Sequence, residues 1–277
     1  MSRFSDRMGI TEPRIEFQLE DMDSELRNCL WNMFYHHYFE RFAHEQNADL
    51  VKVLWHSYFK IPIDTISYDW HDLDTIRKRY FESPWYEAYN LIEFVANNYN
   101  DVAVNQRFIE SCNQVLEREK SGFRFIGKWI TPITDKKEIA EIEEALASPF
   151  KAVNAHLESA LKLMSDRKSP DFPNSIKESI SSVEAMCRIV CGENATLGKA
   201  LDKIEKEGKI ELHGALKKAF DSLYGYTSTA EGIRHAYGLL EGKSNLNLED
   251  AKFMLISCSA FVNYLKVKAC KAGFKIG

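Results

Sequence analysis

Apolar residues recur every three or four positions through most of this chain, the spacing that lines one face of an α-helix. From Met22 to about Ala43 the repeat runs Leu26, Leu30, Met33, Phe34, Tyr38 and Phe42, with Asp21 or Asp23 placed to cap its start. His37 falls on that stripe and His36 does not, which reads as a histidine at the edge of a core rather than a ligand. "SPWYEAYNLIEFVANNY" offers Ser83 as a cap and Pro84 at the first helical position, then repeats Trp85, Tyr89, Ile92, Val95 and Tyr99. A further helix covers roughly 103–119. At 121–133 the period changes: Phe123 and Phe125 alternate with Arg124, Gly127 supplies a turn, and Trp129 and Ile130 follow, which predicts a short β-hairpin. Helix resumes at "TDKKEIAEIEEAL", where Asp135 and Glu138 have capping-box spacing.

Beyond Pro149 the pattern is helical throughout. Phe150, Val153, Leu157, Leu161 and Met164 form one stripe, and "SDRKSPDFPN" (165–174) interrupts it with two prolines. Ile176, Ile180, Val183, Cys187 and Cys191 form the next, followed by a shorter helix at Leu197–Lys206. Leu212, Ala215, Leu216, Ala219, Phe220 and Leu223 define an amphipathic helix with Lys217 and Lys218 on its wet side. The last helix runs from about Leu248 to Ala272, capped by Asn247, with Leu248, Ala251, Leu255, Cys258, Val262 and Leu265 inward. The fold class is therefore mainly α: a helical domain with one small hairpin over 1–147, then a helical bundle over 148–277, the boundary lying near Ala147–Pro149.

Composition leaves this picture intact. The chain of 277 residues is 45% hydrophobic and 28% charged, long enough for one large or two modest cores without metal or disulfide staples. Its net charge of -5 argues against a general nucleic-acid coat or a membrane-surface protein. The charge is uneven: residues 1–150 carry 17 Lys and Arg against 26 Asp and Glu, and residues 151–277 carry 19 against 15. A mildly basic second half is compatible with a local phosphate site and equally with a solvated lysine face. Six scattered cysteines in apolar patterns, with no signal peptide opening the chain, point to a reducing cytoplasm. Cys187 and Cys191 are four apart, but two thiolates alone do not make a zinc site. "FMLISCSAF", the most apolar run, is too short and too polar to span a bilayer.

Phosphate loops, dinucleotide fingerprints, zincin motifs and nucleophile elbows are all absent from the sequence, and no motif marks a small-molecule site. Polar residues inside apolar helices are what remain. Glu184 lies four after Ile180 and three before Cys187, on or beside a buried stripe, so an inward-facing Glu184 needs a partner. It is either half of a fixed pair with a lysine or arginine, or a carboxylate that orients a working arginine. In "EGIRHAYG" (231–238) Arg234 adjoins His235. Arginine grips a phosphate oxygen in two places, and histidine exchanges a proton near neutral pH. Those are the parts that metal-free RNA cleavage needs: a base, an acid and a cation on the phosphorane. From spacing alone, structural service is the better account of the pair: Arg234 bound to helix carbonyls or Glu184, and His235 on the surface. His213, Lys217 and Lys218, on the preceding helix, are placed either to face RNA or to form an ordinary solvated face.

"MSRFSDRMGI", "DMDSELRNCLWNMFY", "FESPWYEAYNLIEFV" and the "SGFRFIGKWITPIT" hairpin resemble the AbiJ N-terminal domain 4 family of bacterial phage-defence proteins. From about Pro149 onward, "SIKESISSVEAMCRIV", "TLGKAL", "LHGALKKAFDSLYGYTSTAEGIRHA" and "EDAKFMLISCSAFVNYLK" resemble the helical HEPN-type module commonly joined to it. The resemblance implies an abortive-infection or toxin-like setting and a dimeric HEPN bundle. It also implies metal-independent endoribonuclease activity on RNA without a cofactor. A phage or antitoxin protein would be its trigger or partner. By that resemblance Arg234 matches the catalytic arginine, His235 the polar residue after it, and Glu184 the helix carboxylate that holds the arginine. The family pattern places a histidine after four to six intervening positions, where this chain has Leu239, Leu240 and Glu241. Either His235 serves as the base, or the chain is a degenerate HEPN-like dimer working as an adaptor or regulatory subunit.

Overall fold

A computed structural model describes Met8 and residues 17–40, 44–166, 169–192, 197–206, 212–229 and 246–271. Eleven α-helices and one two-stranded hairpin make up the regular structure of those residues, a mainly α fold as the periodicity predicts. The chain divides into two compact units, Met1–Thr134 and Asp135–Gly277.

In the first unit, α1 (Ser24–Tyr38) starts at Asp23, whose carboxylate accepts the Leu26 N–H at 2.8 Å. α2 (His44–Val53) runs on into a π-helical turn, Leu54–Phe59, closed by Lys60 in the left-handed region at φ 54°. α3 (Trp70–Glu82), α4 (Trp85–Asn98) and α5 (Val102–Arg118) follow. The start of α4 lies one residue later than expected. Pro84 is the cap, and the Ser83 hydroxyl instead donates back to the Tyr80 carbonyl at the end of α3. Leu26, Leu30, Phe34 and Tyr38 of α1 meet Ile92 and Val95 of α4 and Phe108, Cys112 and Leu116 of α5 in one core. Tyr38 packs edge-on against Tyr99 and Phe108 while its hydroxyl donates to Asn105 at 2.9 Å. His37 sits at the rim, 3.0 Å from the Ser111 hydroxyl.

The hairpin comprises β1 (Arg124–Ile126) and β2 (Trp129–Thr131), antiparallel with Phe125 opposite Ile130, and turns at Gly127, where φ is 56°. Its register is fixed from outside by Asn113 of α5, which donates to the Phe125 carbonyl and accepts the Phe125 N–H. The expected alternation does not hold, since Arg124 is buried along with its neighbours, only 6% exposed. Its guanidinium donates to the carbonyls of Ser121 and Phe123 and staples the approach to the strand. Gly122 permits that approach, because a Cβ there would stand 2.4 Å from the Leu19 side chain.

The second unit contains α6 (Lys136–Leu146), α7 (Lys151–Ser165), α8 (Phe172–Cys191), α9 (Leu197–Lys206), α10 (Gly214–Thr229) and α11 (Leu248–Lys271). α8 is its hub and packs on α7, α9, α10 and α11. Three buried serines on α8 allow close approach while satisfying their hydroxyls on carbonyls: Ser175 on Ala160 of α7, Ser179 on Ser175 and Ser182 on Ser179. α11 begins with a reciprocal cap, the Asn247 side chain accepting the Asp250 N–H and Asp250 accepting the Asn247 N–H. At 24 residues, with an 18-residue window of mean hydropathy 1.2, it is long and apolar enough by length and composition to cross a membrane, unlike the shorter run read from the sequence. Here half of its apolar window is buried, with Leu255, Cys258, Val262 and Leu265 fully enclosed.

The expected boundary near residue 147 differs from this division by one helix. α6 belongs with the second unit because Asn263 of α11 donates to both the carbonyl and the carboxylate of Glu141, and Lys252 pairs with Glu138 at 2.6 Å. The expected capping box is accordingly half formed. Asp135 accepts from Lys137 and Glu138 N–H, while the Glu138 carboxylate turns to Lys252.

Candidate functional site

α8 positions the first candidate. Asp171 caps its start by accepting the Asn174 N–H, and it ends at Gly192, where φ of 75° suits a residue without a Cβ. Between them the stripe Ile176, Ile180, Val183, Cys187 and Cys191 is buried as expected, and Glu184 falls at its edge with its side chain 12% exposed. Arg188, one turn on, brings a guanidinium nitrogen to 3.9 Å from the Glu184 carboxylate. Glutamate preceding arginine by four is the favourable order for such a pair. A separation of 3.9 Å leaves the pair loose, and Arg188 itself is largely in solvent. The i, i+4 spacing of Glu184 and Arg188 is the sequence signal for this pair.

Glu184 does not stand alone on this side of α8. Burial raises the pKa of the Cys187 thiol, and the neighbouring Cys191, Glu184 and Asp221 raise it further. Glu184 of α8 and Asp221 of α10 therefore act on the same buried thiol. Gly198 of α9 approaches the same place, since a Cβ there would lie 3.0 Å from an Asp221 carboxylate oxygen. Glu184 of α8 and Asp221 of α10 thus lie on the side of the unit where α8, α9 and α10 meet, near the buried Cys187 thiol. Asp221 follows buried Phe220 on α10, so the stripe alone assigns it no face.

The three basic candidates lie on or before α10. His213 precedes the helix and caps it, its Nδ1 accepting the Ala215 N–H at 3.2 Å and its carbonyl accepting from Leu216 and Lys217. The Lys217 ammonium, 18% exposed, pairs with Asp202 of α9 and ties the two helices together. Of the three, His213 caps the helix and Lys217 is ion-paired, while Lys218 is exposed and in no ion pair among the described residues. Arg234 and His235 lie outside the described residues, as do Leu239, Leu240 and Glu241. Among the described residues no group of three His, Cys, Asp or Glu side chains is arranged to hold a metal ion.

The sequence profile of AbiJ N-terminal domain 4 matches residues 2–148, just over half of the chain. The match runs through the hairpin and α6 and ends in the loop before α7. No curated protein and no solved structure matches the chain. With its hairpin-bearing helical unit covered end to end by that match, the chain belongs to the AbiJ N-terminal domain 4 family.

Proposed function

We propose that this chain is an abortive-infection effector whose second unit is a HEPN-type, metal-independent endoribonuclease acting on cytoplasmic RNA as a homodimer. The family membership associates the chain with abortive infection and phage defence. The observation that supports the enzymatic part is Glu184, a carboxylate 12% exposed at the edge of the buried α8 stripe, with a guanidinium loosely beside it. In this reading Glu184 orients Arg234, Arg234 binds the scissile phosphate, and His235 moves the proton of the attacking 2′-hydroxyl. Two copies supply the two sets of groups, the first unit responds to a phage or antitoxin protein, and Lys218 adds a contact to the RNA backbone.

Purified protein is incubated with total RNA in EDTA to test this. Cleavage that disappears in Arg234→Ala and in His235→Ala supports it, and no cleavage, or cleavage unchanged in both variants, overturns it. A second reading rests on one sequence observation, Leu239, Leu240 and Glu241 where the family pattern has histidine. In it the second unit is a degenerate HEPN-like dimer that binds or regulates a partner. Expression in bacteria separates the two, since the nuclease slows growth in an Arg234-dependent manner and the adaptor does not.

A further inference from the structure

The first unit holds a half-open cleft of about 420 Å³, within the size range of small-ligand sites. One wall is the π-helical turn, which supplies Tyr58 and Phe59; the other is the end of α3 and the start of α4, which supply Arg79, Tyr80, Glu82 and Glu87. Single π-turns give up regular helix geometry and are frequent at functional sites. The chain leaves this one through Lys60 at φ 54°, a conformation costly for a residue with a Cβ. Two successive departures from regular backbone thus hold two aromatic rings against this cavity.

The lining has a definite chemical character. Tyr58 donates its hydroxyl to the Glu87 carboxylate at 3.1 Å and lies 3.2 Å from the Glu87 carbonyl. Burial, then the charge of Glu87, raises the Tyr58 pKa, so the phenol stays a donor and Glu87 stays oriented. Glu82 is exposed and in no ion pair among the described residues. Buried Tyr80 is locked by its own hydroxyl, which donates to the Arg27 carbonyl. The Arg79 guanidinium lies over Phe59, 5.0 Å from the ring centroid, and forms no ion pair with a carboxylate among the described residues. A cation already rests on the aromatic wall, and it is on an exposed side chain free to swing away. An anionic ligand would meet two carboxylates and one guanidinium, a net repulsive balance.

We propose that this cavity binds an organic cation, a primary amine or guanidinium on an apolar stem, with the head between Glu82 and Glu87 and the stem against Phe59. The ligand takes the place that Arg79 now occupies on the ring. It comes either from a free small amine or from an arginine or lysine side chain of a partner. This site is in the first unit and does not depend on the nuclease reading.

Full-length protein is titrated by calorimetry with agmatine, with N-acetyl-arginine methylamide and, as an anionic control, with AMP. At least one of the two cations is expected to bind, roughly tenfold more weakly in Glu87→Gln and in Phe59→Leu. Glu82→Gln, on an exposed side chain that folding does not need, also weakens binding, whereas Glu249→Gln on α11 leaves it unchanged. Preference for agmatine identifies a free amine, and preference for the blocked arginine identifies a partner's side chain. Absence of binding by both cations, equal loss in Glu82→Gln and Glu249→Gln, or tighter binding of AMP overturns the proposal.

Discussion

Glu184 and Asp72 are both carboxylates at the edge of a packed interior, and they differ in how far their neighbours lie along the chain. Glu184 is legible from its place on a stripe, and its partner Arg188 is four residues away. Asp72 is buried and accepts the Ser67 N–H, the Ser67 hydroxyl and the Tyr68 N–H, holding Tyr68 at φ 58°. Nothing in the spacing of 67–72 announces that, because it depends on one backbone conformation that tyrosine rarely adopts. Removing the carboxylate takes away three hydrogen bonds to a charged acceptor, two of them from the N–H groups of exposed residues that water can reach. Asp72→Ala is therefore expected to lose about 1–2 kcal/mol in urea unfolding. Tyr68→Gly, which removes the steric penalty, recovers about 1 kcal/mol of that loss in the double variant. The cysteines offer a second check. Burial raises the thiol pKa of Cys112, Cys187 and Cys258, whereas Cys270 is exposed. Iodoacetamide at neutral pH should label Cys270 within minutes and those three only after denaturation, as read by peptide mass spectrometry.

Element by element, the helices outside 44–82 are legible because their determinants are local, whereas α2 and α3 are not marked by a comparable stripe. Asp23, Asp101, Asp135, Asp171 and Asn247 each accept a backbone N–H at a helix start, and each stripe needs only its own spacing. The π-turn at Leu54–Phe59 was not readable, because "LWHSYF" satisfies ordinary helix rules and only packing chooses the wider turn. Nor was Arg27, whose guanidinium donates to the carbonyls of Tyr80, Phe81 and Ser83, more than fifty residues away. Caps of this kind titrate. The N–H groups of Glu138 and then Lys137 lower the Asp135 pKa below its ordinary value, so the folded state favours the charged carboxylate. The stability it contributes is complete above the ordinary carboxylate range and is lost as pH falls through the lowered value. Asp135→Asn keeps a capping oxygen without the titration. Its melting temperature should therefore fall less than that of the wild type between pH 5 and about pH 2. Equal slopes for the two proteins would show that this cap plays no part in the acid response.

At the scale of the whole molecule, the sequence reading and the family match place a boundary near residue 148, while packing places it at 134. The two differ only over α6, whose stripe looks alike whichever unit it joins. Its partners decide: Ile142 and Ala145 are fully buried, Asn263 of α11 makes two hydrogen bonds to Glu141, and Lys252 and Lys266 reach Glu138 and Glu144. Burying one isoleucine contributes about 2–3 kcal/mol and the hydrogen bond to the Glu141 carbonyl about 1 kcal/mol, so α6 stabilises the second unit by about 3–4 kcal/mol before the carboxylate contact is counted. A fragment of residues 135–277 is therefore expected to unfold cooperatively in calorimetry. One of residues 148–277 should melt on the order of 10 °C lower or fail to show a transition. Asn263→Ala separates the helix from the cut. It should lower the melting temperature of the longer fragment and leave the shorter one unchanged, because its partner Glu141 is present only in the longer. Equal melting temperatures for the two fragments would instead assign α6 to the first unit, as the family match alone suggests.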